Sequence, residues 1–510
     1  MRLHRSLWVA LLVLWVCGGS LPSLSNECET TRLINEQRKG HVLFNDHDSL
    51  SRPQIQEFTD SAYYPLRLHY SASTSPERVT RLIEILDRAW ENQVLGMGFD
   101  EPPTDRLRGG DSKYDIYLTA VFNESAITIS EESDGPDAND VRPSFILMDV
   151  NTAQVDEQVV LEHEFQHALQ FGIDSEASLF LFEASAVYME TLAYPETLNY
   201  EEVLVDYQSW PNAPFFTDGI KWQDETGVIS YYEYGGFLFL MYLDETFGEG
   251  DGSFIATLWK RGQNSVEGIN EPDFLDVLVD QGRDLPTRIL DFSIWRSLVG
   301  VWTQTDLGPS QASAWSGDTN LKRMTLTHEN LPLFDLTFDY KKKLFEGGCL
   351  VFDYFGTSED ETLYIDAILQ EGQEAYRNTF GFAVALFDGE ERLLSSGTWL
   401  PDEVHWPFEI SIPSNKYAIL SICEAAGTWD TEDSLEAIDL SLYFGNAYPS
   451  NLDAGVTEDA GVQIQPEPVF TETPGCSCET TARREFSILS LLGLVLMGLQ
   501  RKLPDQALRD

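Results

Sequence analysis

Residues 159–190 read VVLEHEFQHALQFGIDSEASLFLFEASAVYME. His163 and His167, two of only eight histidines in the chain, stand four residues apart, and Glu164 directly follows the first. On an α-helix, residues four apart share a face. The two imidazoles can therefore offer one nitrogen each to a single metal ion, while Glu164 sits beside that ion without binding it. This is the geometry of HExxH, two zinc ligands and a carboxylate base. Such a base can take a proton from an activated water and pass it to a leaving amine. Val159, Val160, Leu161, Ala168 and Leu169 give the helix apolar support.

Two ligands make a poor catalytic zinc site, so a third is expected, with one position left for water. Gln170 and Ile173 stand where an HExxHxxGxxH continuation would need glycine and histidine, which excludes that ligand set. GIDSEAS reads as a short polar turn, and a returning helix would bring Glu183 of FEASA back to the metal. Glu190, two turns further on, shares that face and is the rival ligand. Its alternative role is to hold a ligating histidine from behind.

The surrounding pattern is mixed α and β. PLRLHYS (65–71) alternates like a strand. Ser75 and Pro76 suit the N-cap and first position of a helix running to about Val94. YDIYLTAVF and SFILMDV are further strands, and SFILMDV is expected to be the edge strand that holds an extended substrate. Between them, RGGDSKYD offers Asp111 and Asp115 as a weak calcium candidate. From Tyr232 to about Val301 the apolar spacing is helical. Beyond about Thr319 the period changes to two, and LPLFDLTFDY, CLVFDYFG, TLYIDAILQ, FAVALFD, PFEISIP, YAILSIC and IDLSLYFG read as strands of a β-sandwich. Cys349 and Cys423 lie in that region, as a disulfide or as two buried thiols.

The ends carry targeting signals. Arg2, His4 and Arg5 precede the apolar run Leu7–Val16 and small residues, which reads as a signal peptide over 1–23. Residues 24–62 are polar and irregular, a leader or propeptide. Residues 447–474 are acidic and proline-bearing, as in a linker. The tail, 475–510, has GCSC, a short apolar run from Phe486 to Leu499, and Arg501–Lys502. The chain carries 84 acids against 33 bases, a net charge of −51. That charge argues against nucleic acid and anionic membrane surfaces as partners, because both would repel it.

HEFQH followed by FEASA resembles the gluzincin metallopeptidases. The order of segments resembles surface metalloproteases of myxobacterial type, and the tail resembles the MYXO-CTERM sorting signal. The resemblance implies a zincin-like α+β domain over 63–319 and an all-β sandwich over 320–446. It implies one zinc ion held by His163, His167 and Glu183, with Glu164 as base. YEYGG matches the segment whose tyrosine donates to the oxyanion, at Tyr232, with Tyr234 as the alternative. It also implies protein or peptide substrates, export, surface attachment through the tail, and a sorting protease that processes it. An endopeptidase is expected, because no GxMEN-like acidic motif is present to hold a free amine. An aminopeptidase of the same fold is the alternative. So is a surface-binding protein with a vestigial zinc site.

Overall fold

The structure is a computed structural model. It describes residues 51–447 apart from several loops, the longest being 132–140, 264–272, 300–307, 310–319 and 332–342. The signal peptide, most of the leader, the linker, the tail with Cys476 and Cys478, and the strand expected at LPLFDLTFDY lie outside the described residues. Among the described residues, no helix is long and apolar enough to cross a membrane.

The first half is built on one mixed sheet. Its strands are β1 (Glu57–Asp60), β2 (Leu66–Tyr70), β3 (Tyr114–Thr119), β4 (Ala126–Ser130) and β5 (Ser144–Asp149). They lie in the order β1-β2-β3-β5-β4, with β2, β3 and β5 parallel and both outer strands antiparallel to their neighbours. Parallel neighbours need a crossover, and α1 (Pro76–Trp90) supplies the one between β2 and β3. Ser75 caps α1 by accepting the Arg78 N–H, and Pro76 opens it. The helix ends at Trp90 and passes into a π-helical turn, Glu91–Gly96. Alternation sorts the strand residues: Leu66, Leu68, Ile116, Leu118, Ile146 and Met148 face the helices, while Tyr117, Ile127, Ile129, Phe145 and Leu147 form a second cluster on the opposite face.

Two features of this sheet differ from the sequence expectation. β1 falls inside the segment read as irregular; its pairing with β2 is fixed by Phe58↔His69 and Asp60↔Arg67. SFILMDV is not an edge: as β5 it lies between β3 and β4. The edge beside β5 is β4, AITIS, a five-residue strand that the sequence reading did not single out.

Helix α2 (Glu157–Phe171) carries the motif, and α3 (Leu179–Ala193) returns against it. Glu157 anchors the start of α2, taking Arg78 at 2.8 Å and Arg81 at 2.7 Å. Further helices follow: α4 (Glu201–Ser209), α5 (Gly219–Thr226), α6 (Tyr232–Gly235), α7 (Phe237–Phe247), α8 (Ser253–Gly262), α9 (Phe274–Asp280) and α10 (Leu285–Ser297).

The second half is β-rich. β6 (Met324–Thr327), β8 (Cys349–Phe355), β10 (Phe380–Phe387), β11 (Leu393–Trp399) and β13 (Tyr417–Glu424) form a five-stranded sheet in the order β11-β10-β13-β8-β6. β9 (Glu361–Leu369), β12 (Phe408–Ile412) and β15 (Leu440–Gly445) form a second sheet, and β7 (Leu344–Phe345) pairs with β14 (Ala437–Ile438). Apolar residues of the two larger sheets share one core, with Phe352 against Phe444 and Phe382 against Phe408. Cys349 and Cys423 stand opposite each other on β8 and β13 and are disulfide-bonded.

The change of period near Thr319 marks a change of architecture, and the β-rich half has a core of its own between its two larger sheets while also sharing the helical core. β10 and β13 are buried along their whole length. Their second face joins the helical core through Ala383, Ala385, Ile419 and Cys423, against α10. Gly381 shows the closeness: a Cβ there would meet Leu290 at 2.8 Å. The two halves thus belong to a single compact unit, and an isolated 320–446 fragment would expose the face that α10 covers.

Candidate metal centre

α2 and α3 bring three of the expected ligands together. The Nε2 atoms of His163 and His167 lie 3.0 Å apart. Glu183, on the second turn of α3, points its carboxylate at both, with Oε2 3.3 Å from His163 Nε2 and Oε1 3.7 Å from His167 Nε2. One donor atom from each of the three residues lies within 4.8 Å of the others. Glu183 and His167 are fully buried and His163 is nearly so.

The far sides of both rings are engaged by oxygen. His163 Nδ1 stands 2.5 Å from Glu190 Oε1, and His167 Nδ1 stands 2.7 Å from Gln170 Oε1. The Gln170 amide cannot be turned round, because its Nε2 donates to Phe182 O at 3.0 Å and to Ser185 Oγ at 2.8 Å. Ser185 Oγ in turn accepts from Trp259 Nε1 at 3.1 Å and donates to Leu181 O. His167 therefore carries its proton on Nδ1 and turns a bare Nε2 inward. Burial lowers the His167 pKa, against the opposing pull of Glu183, and so favours this neutral ring. Burial pushes the Glu183 carboxyl up, but His167 and His163, helped by the Tyr234 hydroxyl, bring it below its ordinary value.

The donor set fits a metal ion. Both Glu183 oxygens are fully buried, with the two imidazoles and the Tyr234 hydroxyl as their polar neighbours and, among the described residues, no basic side chain of lysine or arginine beside them. A buried carboxylate so placed is costly unless a cation offsets its charge, and here it faces inward-pointing imidazole nitrogens. A cation held by two imidazole nitrogens and one carboxylate would satisfy all three groups. Glu190 takes the outer role: it is bonded to Nδ1 of His163, on the side away from the cluster.

Glu164 is buried beside the cluster. Thr128 Oγ1 of the edge strand lies 2.7 Å from its Oε2 and 2.8 Å from its main-chain oxygen. Of the two tyrosines, Tyr234 is at the site: its ring lies parallel to His163 at 6.3 Å between centroids. Tyr232 is elsewhere. It is fully buried against Tyr207 and Trp222, and its hydroxyl is 3.4 Å from Trp210 O. Two residues on a helix turn through about 200°, so when one faces the cluster the other faces the core. The match to the YEYG segment favours Tyr232, and the structure instead sets the alternative, Tyr234, beside His163.

The weak calcium candidate has another use for its acids. Asp115 is bonded to Arg52 at 2.5 Å and His69 at 2.7 Å, and Asp111 to Arg67 and Lys113, both at 2.7 Å. These carboxylates are neutralised by side-chain cations rather than gathered around an oxygen cage. Thr128 and Gln170 were missed as site residues. Gln170 had a readable signal, three positions after His167 on the same helix face; Thr128 had none.

No protein-family model matches the chain, and no curated protein matches it.

Proposed function

We propose that the chain is a zinc-dependent endopeptidase of gluzincin type, exported and held at a cell surface by its C-terminal tail. One observation carries this reading: two inward Nε2 atoms 3.0 Å apart facing the fully buried carboxylate of Glu183. His163, His167 and Glu183 would hold one zinc ion. When bound, zinc polarises a carbonyl and lowers the pKa of water towards ~7.

The chain's own residues supply the rest. Glu164 accepts the proton of the attacking water and delivers it to the leaving amine nitrogen, with Thr128 fixing its Oε2. Tyr234 donates to the carbonyl oxygen as negative charge develops there. The outer side of β4 offers main-chain groups to an extended peptide. Glu190 and Gln170 hold the two imidazoles in the tautomer that ligation needs. A mixed sheet with an antiparallel edge strand beside the HExxH helix also supports a zincin-like assignment. Export and surface attachment rest on the signal-like N-terminus and the GCSC tail alone.

Zinc content and EDTA-sensitive hydrolysis of a generic protein test the reading, on wild type, Glu164→Gln, Glu183→Ala and Glu190→Ala. Glu164→Gln should keep zinc and lose roughly 10²–10⁴ in turnover. Glu183→Ala should lose zinc, and Glu190→Ala should keep most of it. Wild-type turnover in Glu164→Gln would refute the mechanism, and zinc loss confined to Glu190→Ala would refute the ligand set.

A further inference from the structure

The segment before the first core strand reads from sequence as a leader or propeptide, yet residues 52–60 are built into the sheet. β1 adds a strand outside β2. Ile55 packs on the outer apolar cluster of Tyr117, Ile127, Ile129, Phe145 and Leu147. Arg52 reaches across that face and joins three strands. Its Nη1 lies 2.5 Å from Asp115 on β3, and its guanidinium stands 4.8 Å above the Phe145 ring of β5. Its Nε and Nη2 take both oxygens of Glu131, at 2.9 and 2.8 Å, at the end of β4. The side chain is only 10% exposed.

Among the described residues, β4 has a ladder partner on one side only, β5. Three residues before Glu131 on that strand is Thr128, whose hydroxyl lies 2.7 Å from Glu164 Oε2. The Arg52 fork therefore closes the outer end of the strand that fixes the carboxylate. A forked guanidinium suits this place: one planar group satisfies a bidentate carboxylate and a second acid together. Each acid also has a second basic neighbour, His69 at 2.7 Å from Asp115 and Arg108 at 3.3 Å from Glu131.

We infer that residues 52–60 are a permanent clasp of the folded protein, and that Arg52 is a positioning residue that acts on Glu164 through Glu131, β4 and Thr128. The mature chain must then begin upstream of Arg52. Maturation cleavage after this residue would free the edge strand. The structural statement stands apart from the proposed chemistry; only its effect on peptide turnover rests on the peptidase reading.

Hydrogen–deuterium exchange on the full chain separates these points. In Arg52→Met and Glu131→Gln, amides of 125–131 should exchange about tenfold faster, while 114–119 changes little. Arg52→Lys should fall between, because an ammonium cannot fork across both acids. If Arg52→Met does not fold, Glu131→Gln, which leaves Asp115 paired, decides alone. Unchanged exchange in β4, or equal acceleration of β3 and β4, overturns the positioning role. With an extended peptide substrate, kcat should fall about tenfold and KM rise less than kcat falls, with bound zinc unchanged. If wild type itself hydrolyses no peptide, the peptidase reading fails while the exchange result still decides the clasp. The N-terminus of the exported protein gives the last arm: a start at or before Ser51 is expected, and a start beyond Arg52 overturns the inference.

Discussion

Replacing Gln170 by leucine, at nearly constant volume, removes the acceptor behind His167 together with the two bonds that the Gln170 amide nitrogen donates to Phe182 O and Ser185 Oγ. Gln170 is fully buried, and its Oε1 is the acceptor for His167 Nδ1 at 2.7 Å. Leucine leaves that N–H without a partner in a fully buried ring. An orphaned buried donor costs about 1–3 kcal/mol. The cost is not shared equally between the free and loaded protein. Without metal, His167 can move its proton to Nε2, within reach of Glu183. With metal bound, Nε2 is committed and Nδ1–H stays orphaned. Most of the penalty therefore falls on the loaded state, which corresponds to roughly a 10–100-fold loss of zinc affinity. The Ser185 hydroxyl keeps Trp259 and Leu181 as partners, so the metal-free fold should change little. Competition with a chromophoric chelator measures the zinc dissociation constant, and a melt of the metal-free protein monitors the fold. Affinity within twofold of wild type, with an unchanged melt, would refute the tautomer argument.

Tyr234→Phe should lower kcat by roughly 10²-fold or more, as loss of an oxyanion donor does; Tyr232→Phe should change it little, and the reverse result would return the role to Tyr232. Glu233 is held well above its ordinary value of 4.5, first by burial and then by Asp218. Such a carboxyl costs the native state stability as pH rises past about 4.5, where the unfolded chain ionises and the folded one resists. Glu233→Gln keeps an acceptor for the Gly219 N–H, so its melting midpoint should exceed wild type at about pH 7 and approach it near pH 4. A lower midpoint at neutral pH would count against this. The Cys349–Cys423 bridge closes a sequence separation of 74 residues. Serine at both positions should cost about 4 kcal/mol, seen as a lower denaturation midpoint, and no shift would show that the bridge does not constrain the unfolded chain.

The chain's own letters were enough for the α+β character, for helix α1 from its cap, and for the strand-rich second half. They also sufficed to place His163 and His167 on one face of a helix, with Glu164 beside them. These follow from local rules: helical residues four apart share a face, strand residues alternate, and Ser-Pro opens a helix. Glu183 was legible as a ligand only with the help of a resemblance. The structure supports it because the short turn at 172–178 returns α3 with Glu183 at the Nε2 side and Glu190 at the Nδ1 side. That distinction depends on how two helices pack, which no spacing rule contains. Strand order was equally hidden. β4 is buried on both faces yet lies at an edge of the sheet, because Thr128 turns to the HExxH helix while the outer cluster under Ile55 and Arg52 covers Ile127 and Ile129. The choice of Tyr234 over Tyr232 depended on the direction in which α6 meets the core. The shared core of the two halves escaped the sequence for a related reason. A change of period reports how side chains alternate along one segment, whereas burial of β10 and β13 on both faces depends on α10, about a hundred residues earlier in the chain. Local stereochemistry writes the elements and the motif into the sequence; which faces meet is decided by packing between distant segments, and that decides the outer partners of the site.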